Sequence, residues 1–340
     1  MVFKGIISYY QSVNITKKKK HVCIVIPLYN EVESLFELHQ WIKQSFENST
    51  KYSYRILFID DGSTDNSWEI IQQVFQIDNH VSGIRFSNNY GKASALYVGF
   101  QRTETEFIAT MDADLQDSPE EIPFMLDQLE DQQLDMVSGW KKKRYDSKLF
   151  KNIPSKLFNW AARWVSGIKI HDFNCGIKVY RQQVAQSLEL YGDMHRYIPV
   201  LASINGFNKI DEKQVRHQAR KYGKSKYGTD RFIKGFLDLL TIWFLKRFGK
   251  RPMHFFGVVG LMVFILGIIF IGYLGIDKLY FDTEARLITQ RPEFYLALTL
   301  IILGGQFFIA AFLGEMLIGN RQIKPQYLIS EELDAKKSSR

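Results

Sequence analysis

From residue 22 to about 210, the chain alternates short apolar runs with longer stretches whose apolar residues recur at helical spacing. Segments 22–27, 55–59, 83–85, 107–111 and 136–139 read as strands: each is short, rich in β-branched or aromatic residues, and bounded by turn formers. Segments 35–46, 67–76, 92–102 and 120–132 read as helices with one apolar face. Strand and helix in turn predict an α/β domain, a mostly parallel sheet with helices on both faces. In such a sheet ligands bind beyond the carboxyl ends of the strands.

The pattern changes after about residue 231. Segment 232–248 is rich in Phe, Leu, Ile and Trp, with Lys234, Asp238, Lys246 and Arg247 interspersed, which suits a helix lying in a membrane interface. Segments 253–276 and 294–314 then carry no Asp, Glu, Lys or Arg. Each is long enough to cross a hydrocarbon core of about 30 Å at ~1.5 Å per residue. Lys246, Arg247, Lys250 and Arg251 precede the first span, and Arg321 and Lys324 follow the second. The positive-inside rule then predicts an integral membrane protein of two spans, with both ends and the α/β domain in the cytoplasm. The expected organisation is an N-terminal extension (1–20), the α/β domain (21–230), a juxtamembrane interfacial segment (231–252), a two-helix transmembrane domain (253–320) and a cytoplasmic tail (321–340). Residues 1–13 are mildly apolar but precede a lysine run, so they do not read as a secretory signal. They suit a membrane-surface segment or a frayed tail.

Charge refines this picture. The 340 residues carry 44 Lys and Arg against 36 Asp and Glu, a net charge of +8. The excess gathers at 17–20, 141–144, 216–226 and 246–251. Such patches suit an anionic membrane surface, a phosphorylated substrate or nucleic acid. With only Cys23 and Cys175 present, neither a disulfide framework nor a thiolate zinc site is indicated.

The sharpest chemical feature is Asp112-Ala113-Asp114, at the end of an apolar run. An ideal strand would splay these two carboxylates onto opposite faces, but a turn at the strand end lets both face one hard cation. That cation can clamp a diphosphate and neutralise a leaving group. The first strand ends in Pro27-Leu28-Tyr29-Asn30-Glu31. The second ends in Asp60-Asp61-Gly62-Ser63-Thr64-Asp65, where Gly62 permits a tight turn and Asp65 suits a helix cap. Two adjacent acids exceed what a cap requires. One of them can accept hydrogen bonds from a nucleobase or a ribose.

These motifs, with Asn89-Tyr90-Gly91-Lys92 and Asp112-Ala113-Asp114-Leu115-Gln116-Asp117 in the same order, resemble the inverting GT-A (Rossmann-like) glycosyltransferases of family 2. Asp172-Phe173-Asn174-Cys175-Gly176, His195-Arg196-Tyr197-Ile198-Pro199, the 220–227 segment and the two spans narrow the resemblance to polyprenyl-phosphate glycosyltransferases. The match is to the bactoprenol glucosyltransferase type, related to dolichyl-phosphate mannose synthase. It covers residues 22–328.

The resemblance implies roles. Pro27, Tyr29, Glu31 and Asp61 would surround the base and ribose of a nucleotide-sugar, Lys92 would meet its diphosphate, and Asp60, Asp112 and Ala113 would also contact the donor. Asp112, Asp114 and Gln116 would hold Mg²⁺ or Mn²⁺. Asp172 stands at the family's base position. Arg196, Arg220, Ser225 and Lys226 would bind the phosphate of a polyprenyl acceptor, and Trp160 and Trp164 suit a prenyl groove or a core equally well. The partners implied are a UDP-sugar, undecaprenyl phosphate, a bacterial inner membrane and further copies of the chain in a homo-oligomer. Nucleic acid is not among them. Glucose is the first choice of sugar. GDP-mannose as donor, a processive polysaccharide synthase and a non-catalytic nucleotide-sugar sensor are the alternatives. A synthase would normally carry a Gln-x-x-Arg-Trp motif, absent here, and the full set of acids disfavours the sensor.

Overall fold

The computed structural model describes residues 19–142, 163, 167–219, 221–222, 253–281, 287–319 and 327–334. The N-terminal extension to residue 18, the interfacial segment, Trp160, Trp164, Arg220, Ser225 and Lys226 lie outside the described residues. The chain divides into two compact units, residues 240–325 and the remainder.

The larger unit is built on one sheet of eight strands. In chain order its elements are β1 (Lys20–Leu28), α1 (Leu35–Glu47), β2 (Tyr52–Asp60), α2 (Ser67–Ile77), β3 (Val81–Phe86), α3 (Lys92–Arg102), β4 (Phe107–Thr110), α4 (Glu121–Asp131), β5 (Met136–Trp140), β6 (Lys178–Arg181), α5 (Gln182–Gln186), α6 (Ile198–Ile204) and β7 (Ile210–Gln214). After α7 (Val258–Ile276) and α8 (Pro292–Gly319), which form the second unit, the chain adds β8 (Ile329–Leu333) to the first. The strand order is β7-β5-β6-β4-β1-β2-β3-β8. β1 pairs in parallel with β2 and β4, and β2 with β3. β6 runs antiparallel between β4 and β5, and β8 runs antiparallel to β3. The sheet is therefore mixed and mostly parallel.

Alternation along β1 explains the layers. Val22, Ile24, Ile26 and Leu28 join a core with α1, α2 and α4 residues such as Leu38, Ile71 and Leu126. Val25 points the other way, onto α3, where a Cβ on Gly99 would lie 2.3 Å from its side chain. Both faces of β1 are thus buried, as expected of a central parallel strand and of its unbroken apolar sequence. Every expected strand and helix of the α/β domain is present, with ends within a few residues of those predicted.

β6, β7 and β8 were not predicted. β6 has four residues, and the sequences of β7 (Ile-Asp-Glu-Lys-Gln) and β8 (Ile-Ser-Glu-Glu-Leu) are polar edge strands without apolar alternation. Residues 321–340 were expected only as a tail; Ile329–Leu333 is instead the outermost strand of the sheet.

In the second unit, Met253–Phe281 and Pro292–Met316 are helical stretches long and apolar enough to cross a membrane, with mean hydropathy 2.8 and 2.3. Only 17% of each most apolar window is buried, which disfavours core helices of a water-soluble fold. The two helices approach through glycines. A Cβ on Gly304 would lie 2.5 Å from the Phe264 backbone nitrogen, and one on Gly260 2.8 Å from the Gly304 carbonyl. Small residues at a helix crossing let backbones pack closely in lipid. Glu315, costly if turned to hydrocarbon, accepts a hydrogen bond from the Met253 backbone N–H at 3.4 Å. Arg291 pairs with Asp277 at the other end of the hairpin, at 2.6 Å.

Gly304→Leu should separate the helices and lower the thermal midpoint in detergent by about 3 °C or more. Gly305→Leu should leave the midpoint unchanged, because no atom lies within 4 Å of its Cβ position. Equal midpoints for the two variants would remove the glycine contact from the hairpin's packing.

Candidate active site

The carboxyl ends of β1 and β2 are knitted together. Asn30 adopts φ 54°, a left-handed conformation that asparagine tolerates. Its Oδ1 accepts the Thr64 N–H at 2.8 Å, and its own N–H donates to Ser63 Oγ at 2.9 Å. Asp65 accepts N–H groups from Ser67 at 3.0 Å and Val32 at 3.3 Å; one residue before the Asn66 N-cap position, it satisfies the first amide of α2 and ties it to the first loop. Tyr29 and Glu31 are half-buried beside this junction, while Pro27 and Ala113 are buried.

Asp60 is fully buried, with its Oδ1 accepting the Ser63 N–H at 2.9 Å and Arg85 Nε 3.7 Å from its Oδ2. Burial raises its pKa against the Ser63 hydrogen bonds and the Arg85 charge. Asp61 reaches across to the next loop and accepts the N–H groups of Tyr90 at 2.7 Å and Gly91 at 2.9 Å. Gly62, at φ +70°, lies so close that a Cβ would come 2.5 Å from the Asn88 carbonyl carbon. Burial pushes the Asp61 carboxyl up to about 6 despite the two amides.

Protonation of Asp61 below that value leaves one of its oxygens unable to accept its amide. As pH falls from 7.5 to 5, loop 87–91 should loosen and the KM for a nucleotide donor should rise. Asp61→Asn should show a raised KM already at pH 7.5 and little further change. A wild-type donor KM that is flat across pH 6 would exclude this role.

The Asp112–Asp114 pair occupies the turn after β4. Leu115 takes φ 59°, unusual for a residue with a bulky side chain and a sign of a tightly held loop. Gly176 backs Asp112, since a Cβ there would lie 2.7 Å from Asp112 Oδ2. Lys92, the first residue of α3, donates to Asp112 Oδ1. Burial opposes ionisation of Asp112, but Lys92 and then Lys141 hold its pKa far below the usual carboxylate range. Asp114 is 8% exposed, and its Oδ1 accepts the Gln116 N–H at 3.2 Å.

Further basic side chains lie near Asp112. Buried Lys178 donates to the Cys175 carbonyl, and burial pushes its pKa down. His195 is held neutral, its pKa well below the ordinary value through burial first and then the charges of Lys92 and Arg196. Arg196 is buried, 3.7 Å from Asp193. Asp172 is 2% exposed and accepts the Asn174 N–H at 3.1 Å. Lys141 Nζ lies 2.6 Å from Asp117, which also faces His217 at 3.5 Å. The Gln218 N–H donates to the Gln116 carbonyl at 2.8 Å, joining the carboxylate loop to the start of the basic 216–226 segment.

Lys141 opens the 141–144 basic patch, and its side chain is 13% exposed and turned to Asp117. Its position directly after β5, at a strand's carboxyl end, was the available signal. Lys178, Asp117 and His217 carried no comparable pattern. Among the described residues no cluster of three or more His, Cys, Asp or Glu side chains forms a metal cage. The oxygen donors of Asp112, Asp114 and Gln116 nonetheless suit a hard divalent cation, which typically takes one or two carboxylates and completes its shell with water and phosphate. The Lys92 ammonium on Asp112 shows that a cation is accepted at that carboxylate.

The sequence model for "Glycosyl transferase family 2" matches residues 23–188. The chain is 32% identical over 318 residues to a dodecaprenyl-phosphate galacturonate synthase of Rhizobium johnstonii, covering 92% of each chain. It is 34% identical over 317 residues to an undecaprenyl-phosphate 4-deoxy-4-formamido-L-arabinose transferase of Shewanella sediminis, again covering 92% of each. Among solved structures, glucosyl-3-phosphoglycerate synthase from Mycobacterium tuberculosis is similar with 14% identity and a TM-score of 0.49, over 67% of this chain and 80% of that one.

Proposed function

The chain belongs to glycosyl transferase family 2, and from that premise we propose that it transfers a sugar from a nucleotide donor to a polyprenyl phosphate at the cytoplasmic face of a bacterial membrane. The observation that carries the proposal is the pair Asp112 and Asp114 at the end of β4, with Lys92, Lys141 and Lys178 close enough to Asp112 to act on its charge. Such a grouping suits a substrate rich in phosphate, and a GT-A type domain would place a UDP-sugar there. The polyprenyl acceptor is favoured by the names of both relatives and by two helices suited to a membrane. Glucose remains the first choice of sugar, although those relatives are named for galacturonate and a formamido-arabinose.

Asp112, Asp114 and Gln116 would hold Mg²⁺ or Mn²⁺. That ion supplies charge neutralisation for the departing diphosphate. The protein's own residues do the rest. Asp60 and Asp61 shape the pocket for base and ribose. Lys92 and Lys141 lower the energy of negative charge building on the leaving group. Arg196, with Arg220, Ser225 and Lys226, would orient the acceptor phosphate. A phosphomonoester with its second pKa near 6 is largely dianionic at neutral pH, so little base catalysis is needed. Its oxygen forms a bond to the anomeric carbon while the bond from that carbon to the diphosphate oxygen breaks. The electron pair leaves with the nucleoside diphosphate, and attack from the opposite face inverts the centre. Buried Asp172 would orient the acceptor and offset positive charge on the sugar.

The test is release of UDP or GDP from a panel of nucleotide-sugars by the full chain in detergent, with and without undecaprenyl phosphate. Acceptor-dependent UDP release from one sugar is expected. Release without acceptor dependence, or none from any donor, would overturn the reading.

A further inference from the structure

β8 lies beyond both apolar helices in the chain, yet it completes the sheet at the edge nearest the Asp60–Asp61 loop. The Ser87 N–H donates to the Leu328 carbonyl at 2.9 Å, and Ser330 Oγ donates to the Arg85 carbonyl at 3.1 Å. Tyr327 stacks on Phe86 with ring centroids 5.5 Å apart. Glu331 accepts the indole N–H of buried Trp68 at 2.8 Å, which fixes its carboxylate, and its other oxygen faces Arg85 Nη1 at 3.5 Å. Arg85 turns its remaining atoms inward, with Nε 3.7 Å from Asp60 and Nη2 donating to the Ser63 carbonyl at 3.4 Å. Asp60 Oδ2 is buried and accepts no hydrogen bond among the described residues, and the Arg85 charge adds to the Ser63 hydrogen bonds in offsetting the carboxylate. Ser87 opens the loop whose Tyr90 and Gly91 amides bind Asp61 and whose end is Lys92.

We propose that the C-terminal strand is a positioning element of the donor site. Glu331 holds Arg85 against Asp60, and residues 327–330 fix the start of the 87–91 loop. Affinity for the nucleoside diphosphate part of the donor then depends on a strand encoded after the membrane hairpin. The inference rests on the reading of the Asp60–Asp61 loop as the base and ribose site. An exposed ion pair such as Arg85–Glu331 contributes little energy by itself. Its effect is orientational: it selects one conformation of a long side chain that faces a buried carboxylate.

The test is titration of UDP, with Mn²⁺ present, into the full chain in detergent, together with donor and acceptor KM values. Glu331→Gln keeps an acceptor for the Trp68 indole and removes the charge. Its UDP Kd should rise about threefold, as for loss of one weak ion pair. Arg85→Met should raise it about tenfold by leaving Asp60 Oδ2 without a facing charge. The double variant should be no weaker than Arg85→Met alone, because Glu331 acts through Arg85. Deletion of residues 327–340 should match or exceed the Arg85→Met effect, with the donor KM rising and the acceptor KM unchanged. Wild-type affinity in both Glu331→Gln and the deletion would overturn the inference while leaving the proposed function standing. Additive effects in the double variant, or an altered acceptor KM in place of the donor KM, would overturn it as well. A wild-type chain that binds no nucleoside diphosphate would overturn both.

Discussion

Asp114→Ala should lower sugar transfer by about 10³-fold, the scale of losing a principal electrostatic stabiliser of a leaving group. Asp112 cannot compensate alone, because Lys92 already occupies one of its oxygens. With Asp114 removed, an incoming divalent ion would share a single carboxylate with that ammonium. A hard cation is held poorly by one such ligand. The variant should also show loss of Mn²⁺ binding by calorimetry, a readout independent of turnover. Full activity of Asp114→Ala in EDTA would remove the ion from the reaction. Asp112→Asn should be nearly as damaging, since it keeps the shape against Gly176 but loses the charge that pairs with Lys92.

Gly62→Ala should raise the donor KM by about 100-fold or more and lower stability by about 2 kcal/mol. Two penalties act together. The backbone at φ +70° disfavours any residue with a Cβ, and that Cβ would collide with the Asn88 carbonyl carbon at 2.5 Å and the Asn89 nitrogen at 2.9 Å. These are backbone atoms that no rotamer change can move aside. Relief requires the Asp60–Asp61 turn to part from loop 87–91, which breaks the Asp61 contacts to Tyr90 and Gly91. Gly91→Ala, where no atom lies within 4 Å of the Cβ position, meets only the backbone strain at φ +91°. It should be the milder of the two. Equal donor KM values for Gly62→Ala and the wild type would exclude the close approach.

The central strands were legible because burial on both faces leaves an unbroken apolar run, as in Cys23-Ile24-Val25-Ile26. The helices were legible because their one-sided apolar pattern is long enough to read. Lys92–Arg102 has the predicted ends, set by Gly91 before it and extended Thr103 after it. The edge strands were not legible: a strand with one neighbour and a solvated face needs little apolar sequence, so β7 and β8 resemble loops. At the site, the acids at strand ends were conspicuous, since paired carboxylates are costly unless they hold something. Their counter-charges were not. Lys141 begins a run of four basic residues, and only its place directly after β5 distinguishes the member that turns inward to Asp117. Lys178 comes near Asp112 only through chain segments that meet in three dimensions.

The antiparallel pairing of β3 with β8 also sets a timetable for synthesis. β3 leaves the ribosome about 250 residues before its outer neighbour, which at about 5–20 residues per second is roughly 12–50 s. Throughout that interval the row of peptide groups that β8 will cover stands open, the kind of edge that invites pairing with another nascent chain. Closure waits until both apolar helices have been made, so a ribosome that stalls within the hairpin releases a sheet with a raw border. Closing of the sheet edge thus follows synthesis of the apolar hairpin, and a chain cut short before β8 would keep that edge open to aggregation or proteolysis.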